Sequence, residues 1–145
     1  MTAAGGEFFQ KFNFSAEEIR KRFEGVRRDL EIAAKDPFPE VRFTYGYQAL
    51  IKTGTALLAR EGLKVRSIPG HHVKILERMS ETLNDPDILA LGNGMRMKRN
   101  QDLYGGGELI TEKEAADYFA FVRKVFKLAL RKEPKIMPKP GRSEL

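Results

Sequence analysis

Four side chains near position 100, those of Arg96, Arg99, Asn100 and Tyr104, form a set that can hold a phosphate. Two guanidiniums present fork-shaped donors to phosphate oxygens, an amide adds a neutral donor, and a phenol can donate or orient. At about 100° per residue, Arg99 falls among Ile88, Gly92, Met95 and Leu103, the apolar side of its own helical pattern. A guanidinium keeps its proton, so burying one requires an acceptor such as a carboxylate, a run of carbonyls or a phosphate. Arg96, Asn100 and Tyr104 share one arc of the wheel with Arg99. A structural arrangement also fits this spacing: Arg99 paired with an acid on another helix, Asn100 on a helix end, and Tyr104 packed as an amphipathic edge.

Other proton-transfer groups are few. His71 and His72 are the only histidines, and adjacent positions on a helix point about 100° apart, so they do not easily serve one site. His72 falls on a stripe with Leu76 and reads as a core-edge or interface residue, and His71 as solvent-facing or close to a helix N-terminus. Glu77 and Glu81 share a helix face, but no Glu-x-x-His pair of the kind used in di-metal bundles occurs. There is no cysteine, which removes disulfides, thiolate nucleophiles and sulfur-ligated metals. Neither a metal nor a cofactor is expected. Gly105-Gly106-Gly107 has no Walker Lys-Ser/Thr ending and reads as a helix-ending loop, with an anion-binding nest as the alternative. Tyr45, Tyr47, Tyr118, Phe119 and Phe121 could stack on bases, although most follow the periodicity of a core.

The elements that must position these groups are helical. Ser15 and Glu18 form a capping box, and Phe14 and Ile19 a hydrophobic staple, at the start of a helix expected from Ala16 to Lys35. Asp36-Pro37-Phe38-Pro39 breaks it and starts a second helix, carried by Phe43, Tyr47, Leu50, Gly54, Leu57 and Leu58 and stopped by Gly62, with Leu63 packing back. Gly54 on this stripe predicts close approach of a neighbouring helix. A third helix begins near Pro69-Gly70-His71. A fourth starts at Asn84-Asp85-Pro86 and stops at the three glycines, and a fifth follows the Thr111 and Glu114 capping box. No stretch alternates with a period of two. The fold expected is all-α: an up-and-down four-helix bundle with an accessory fifth helix, spanning 15–132 between a loose N-terminal segment, 1–14, and a basic proline-containing tail, 133–145.

The 145 residues carry a formal charge of +6 and a pI near 9.6. Arg123 to Arg142 holds eight Lys or Arg against one acid, Glu133, so one end should be distinctly positive, as a soluble tail or as a surface for an acidic partner. Without a signal-like start or a long apolar run, the cytoplasm and no membrane association are expected.

The Arg motif resembles the signature helix of HEPN domains, all-α bundles in which an Arg-polar pair is followed by His, written R-x4-6-H and often R-N-x-x-x-H. Arg99-Asn100-Gln101-Asp102-Leu103-Tyr104 supplies the Arg and Asn, with Tyr104 at the histidine position. The likeness extends to the helix order, from the capped first helix through the Tyr-rich second to the short helix at Gly70-His71-His72, and covers roughly Ser15 to Leu130.

The resemblance implies a homodimer whose two signature helices bring both Arg motifs into one cleft. It implies metal-independent RNA cleavage in active members, with the Arg on the scissile phosphate and the His assisting proton transfer. On that basis Arg99 and Tyr104 are the catalytic candidates, and Arg96, Arg99 and Asn100 the phosphate-binding ones. Tyrosine, with an ordinary pKa of about 10, is a poor general base near neutrality but can still donate a hydrogen bond. RNA or nucleotide binding is therefore the first expectation. The alternative is a non-catalytic interaction module, such as a partner of a nucleotidyltransferase-like protein.

Overall fold

The computed structural model describes residues 6–105 and 110–132, with only the backbone for 102–105. It is an all-α fold of five helices accompanied by one short two-stranded sheet. Local signals set the helix ends. α1 (Ala16–Lys35) opens on the expected box, where Ser15 Oγ accepts from the Glu18 amide at 3.0 Å and Glu18 Oε1 accepts from the Ser15 amide at 2.8 Å. Thr111 and Glu114 repeat that exchange at 3.0 and 3.1 Å before α5 (Glu112–Arg131); such caps are worth about 1 kcal/mol each. Pro39 begins α2 (Pro39–Arg60), which stops just before Gly62, at φ +78°. α3 (His71–Leu83) and α4 (Pro86–Gly105) are separated by Asn84, whose φ of 54° is a left-handed conformation that asparagine tolerates.

α2 packs against all four other helices, with α1 and α5 contacting each other and α3 pairing with α4. Its Tyr47, Leu50 and Leu58 are fully buried in a core shared with Val26 of α1, Leu76 and Met79 of α3, Met95 of α4 and Val122 of α5. Two glycines admit the close crossings. A Cβ on Gly54 would lie 2.7 Å from Met79 Sδ, and one on Gly92 2.6 Å from Leu76 Cδ2. The expectation for Gly54 thus holds, and α3 is wedged between α2 and α4.

Across α1 and α2, buried Asp29 places Oδ2 2.9 Å from Lys52 Nζ. The approach is not aligned for a hydrogen bond, so the attraction is electrostatic. α2 also carries two arginines that serve neighbouring helix ends. Arg42 Nε donates to Ala33 O at 3.1 Å, and Arg60 donates to Ala129 O and Lys132 O at 2.6 to 3.2 Å. These carbonyls belong to the last turn of α1, the last turn of α5 and the residue that caps α5, where cations also meet the negative end of the helix dipole.

The stretch expected to be a loose N-terminus contributes β1 (Phe9–Lys11), paired antiparallel with β2 (Leu63–Val65) in the register Phe9 to Val65 and Lys11 to Leu63. The Phe12 amide donating to Gly62 O at 3.0 Å and the Arg66 amide donating to Phe8 O at 2.7 Å lengthen the ladder. Phe8 is buried, with its ring beside Gly70. Three residues are too few to show alternation, and the partner lies more than fifty residues away. The pairing is tertiary in origin.

Candidate phosphate-binding site

Tyr47 and His72 meet where α2 faces the first turn of α3. Tyr47 Oη lies 2.8 Å from His72 Nδ1. The Tyr47 side chain is 1% exposed, and burial pushes its phenol up to about 12, with Arg99 and then Arg96 pulling the other way. The phenol therefore keeps its proton at neutral pH. Since Nδ1 is the acceptor available to it among the described residues, the O–H donates there, as a buried phenol proton left unpaired would cost about 1 to 3 kcal/mol.

His72 is driven the opposite way. Burial is the largest cause, followed by the charges of His71, Arg99 and Arg96, and together they lower its pKa to about 4. The ring is neutral near pH 7, and with Nδ1 accepting from Tyr47 its single proton sits on Nε2. His72 thus presents a neutral N–H donor rather than a base. His71, its ring centroid 4.5 Å from that of His72, turns Nδ1 instead to Ile68 O at 2.8 Å. The adjacent histidines serve different partners, as their helical offset requires.

α4 brings the arginines. Arg99 is half-buried, its guanidinium carbon 5.6 Å from the Tyr47 ring centroid. The acceptor expected for it is absent among the described residues; within that set it meets only a ring face, a cation–π contact that uses none of its N–H donors. Arg96 Nε donates to Asn93 Oδ1 at 2.8 Å, an i,i+3 contact that holds the guanidinium along α4. Among the described residues neither arginine is in an ion pair. Asn100 is half-buried and makes no side-chain hydrogen bond within that set. Tyr104 lies in the last turn of α4, and its side chain is outside the described residues. Gly106, Gly107 and the 133–145 tail are outside them also.

The structure therefore joins Arg96 and Arg99 to Tyr47 and His72, two residues that helical spacing assigned to the core or its edge. Both stand on apolar stripes while carrying polar atoms, and each satisfies the other. That need for a partner was the available signal. Asn93, three residues before Arg96, was visible as a helical neighbour.

The outer face of α4 is also unusual. Leu91 and Met97 are 43% and 52% exposed, with Ala90 and Gly94 between them and open to solvent. On α5, Arg123, Lys124, Lys127 and Arg131 are all exposed. Among the described residues no helix is long and apolar enough to cross a membrane.

No protein family, curated protein or solved structure matched this chain.

Proposed function

We propose that this chain is a HEPN-like helical bundle that binds RNA or a nucleotide phosphate through Arg96, Arg99 and Asn100, with His72 as an added donor positioned by Tyr47. One observation carries the reading: two arginines with no acidic partner among the described residues act on a neutral histidine whose open nitrogen bears a proton. Every group so arranged donates, which suits a phosphate and not a proton awaiting removal. Binding is accordingly the activity proposed ahead of metal-independent cleavage. The exposed cations of α5 add a sequence-independent attraction to polyanions.

Labelled single-stranded RNA incubated in EDTA with wild type and Arg99→Met tests binding and cutting together. Retention by wild type at low salt, its steep loss with added salt and weaker retention by the variant are the expected results. RNA that wild type neither retains nor cuts would defeat the reading.

A second reading rests on α4's outer face. A small pair, Ala90 and Gly94, flanked by exposed Leu91 and Met97, is suited to close helix–helix contact, either with a second copy of the chain or with a nucleotidyltransferase-like partner. Light scattering of wild type and Gly94→Glu distinguishes the homodimer: a wild type that is monomeric at high concentration removes it.

A further inference from the structure

A cavity of about 260 Å³ opens between β2, α1, α2 and the first turn of α3. Ile51 and Ile75 contribute apolar lining, and Arg22, Lys64, Ser67 and His71 contribute polar groups. Tyr47, His72, Arg96 and Arg99 are not among its walls, and among the described residues neither is any carboxylate.

Neither cation is in an ion pair with a described residue. On the same helix, Arg20 is held by Glu17 and by Glu24, the latter at 2.7 Å. Arg22 has Glu18 one turn before it, but that carboxylate is committed to capping Ser15, and Gly25 and Val26 follow at the other helical neighbours. Its guanidinium lies instead 4.6 Å from the Phe14 ring centroid, and it forms no ion pair with a described residue. Lys64 faces the neutral Gln10 across the strand pair, and its Nζ sits 5.0 Å from the Phe12 ring centroid, also without an acid among the described residues. Aromatic faces steady both cations without using their N–H donors, which meet no acid among the described residues.

The remaining polar groups define the rest of a ligand. Ser67 makes no side-chain hydrogen bond with a described residue. His71 Nδ1 lies 2.8 Å from Ile68 O, an atom that can only accept, so Nδ1 carries a proton and Nε2 is the nitrogen that can accept. The cavity wall thus combines donors for an anion, an acceptor for a hydroxyl and apolar surface. The space has room for several waters, enough for a one-ring molecule.

We infer that this cavity binds a small hydroxylated aromatic carboxylate, its acid group on Arg22 and Lys64, its ring against Ile51 and Ile75, and its hydroxyl on His71. The site is independent of the arginines of α4 and stands whether or not the chain binds RNA.

Titrating the full-length, isotope-labelled protein with 4-hydroxybenzoate, followed by amide shifts, tests the assignment. Saturable shifts centred on Thr55, Val65, Ser67 and His71 are expected. Arg22→Gln and Lys64→Gln should each weaken binding about tenfold, the change expected from a lost charge-assisted hydrogen bond, and neutral 4-hydroxybenzamide should bind more weakly by a similar factor. Both substitutions fall on exposed side chains, and unchanged dispersion elsewhere in the spectra reports that the variants are folded. No saturable shift up to about 10 mM, a range reaching only weak affinity, overturns the proposal. Equal binding of the amide, or wild-type affinity in both variants, overturns it too.

Discussion

Arg60 and Arg99 are both half-buried, and each lies over an aromatic ring, Phe23 at 4.9 Å and Tyr47 at 5.6 Å from the guanidinium carbon. Their remaining surroundings differ. Arg60 reaches the end of α5 and fills its donors with the carbonyls of Ala129 and Lys132. Arg99 meets no such helix end among the described residues, and its neighbours include Arg96 and a neutral histidine. The ring contact alone therefore does not reveal what an arginine is for. The acceptors beyond the ring separate the two: Arg60 ties down a helix end, and Arg99 has no acceptor among the described residues.

The contrast can be broken most directly by Arg60→Met, which strips the α5 carbonyls of their partners. A loss of about 2 kcal/mol in urea denaturation is expected, since hydrogen bonds from charged groups contribute about 1.5 to 3 kcal/mol; a loss below about 0.5 kcal/mol would show that Arg60 ties nothing down. Arg99→Met should leave stability within about 0.5 kcal/mol while weakening RNA retention at low salt about tenfold, or 1.4 kcal/mol. The reverse pattern, a destabilised protein with intact RNA binding, would exchange the two roles.

A smaller effect belongs to His72. The folded protein holds it near 4 whereas the unfolded chain protonates it near 6.5, so between those values the unfolded chain takes up more protons. The contribution to stability is complete above about pH 6.5 and is lost as pH falls toward 4. After discounting for the solvent that still reaches this half-buried ring, the loss is on the order of 1 kcal/mol. His72→Gln, which keeps an acceptor for Tyr47, should flatten the denaturation profile over that window; superimposable profiles would dismiss His72 as its source. Smallest of all, the His72 titration followed by NMR should move part of the way up in Arg99→Met and stay fixed in Arg60→Met, because burial is the larger cause and Arg99 only one of several charges. A matching rise in Arg60→Met would mean that the ring reports packing rather than the α4 charge.

Which features were legible in the sequence follows the range of the forces that make them. Ser15 with Glu18 and Thr111 with Glu114 act over three residues, and the starts of the helices they cap were readable to the residue. Gly54 on an apolar stripe announced a close crossing without naming Met79 as its occupant. The strand pairing of Phe9 with Val65 has no local cause and escaped. Arg99 illustrates the intermediate case: a wheel for one helix shows that a charge turns inward, but only the packing of α2 against α3 and α4 determines that it meets Tyr47 and, among the described residues, no acid. The same limit concealed the Tyr47 and His72 hydrogen bond, whose partners stand twenty-five residues apart.

The notches at Gly54 and Gly92 set the position of α3 along its own axis as well as its distance from its neighbours. Ile75 and Met79 lie in one notch and Leu76 in the other, so α3 is keyed from both sides and cannot slide without driving a side chain into backbone. A slip of a single residue displaces a helix by about 1.5 Å, enough to part His72 from Tyr47 at their 2.8 Å separation. The two glycines are in effect the gauge blocks of a site that neither of them touches.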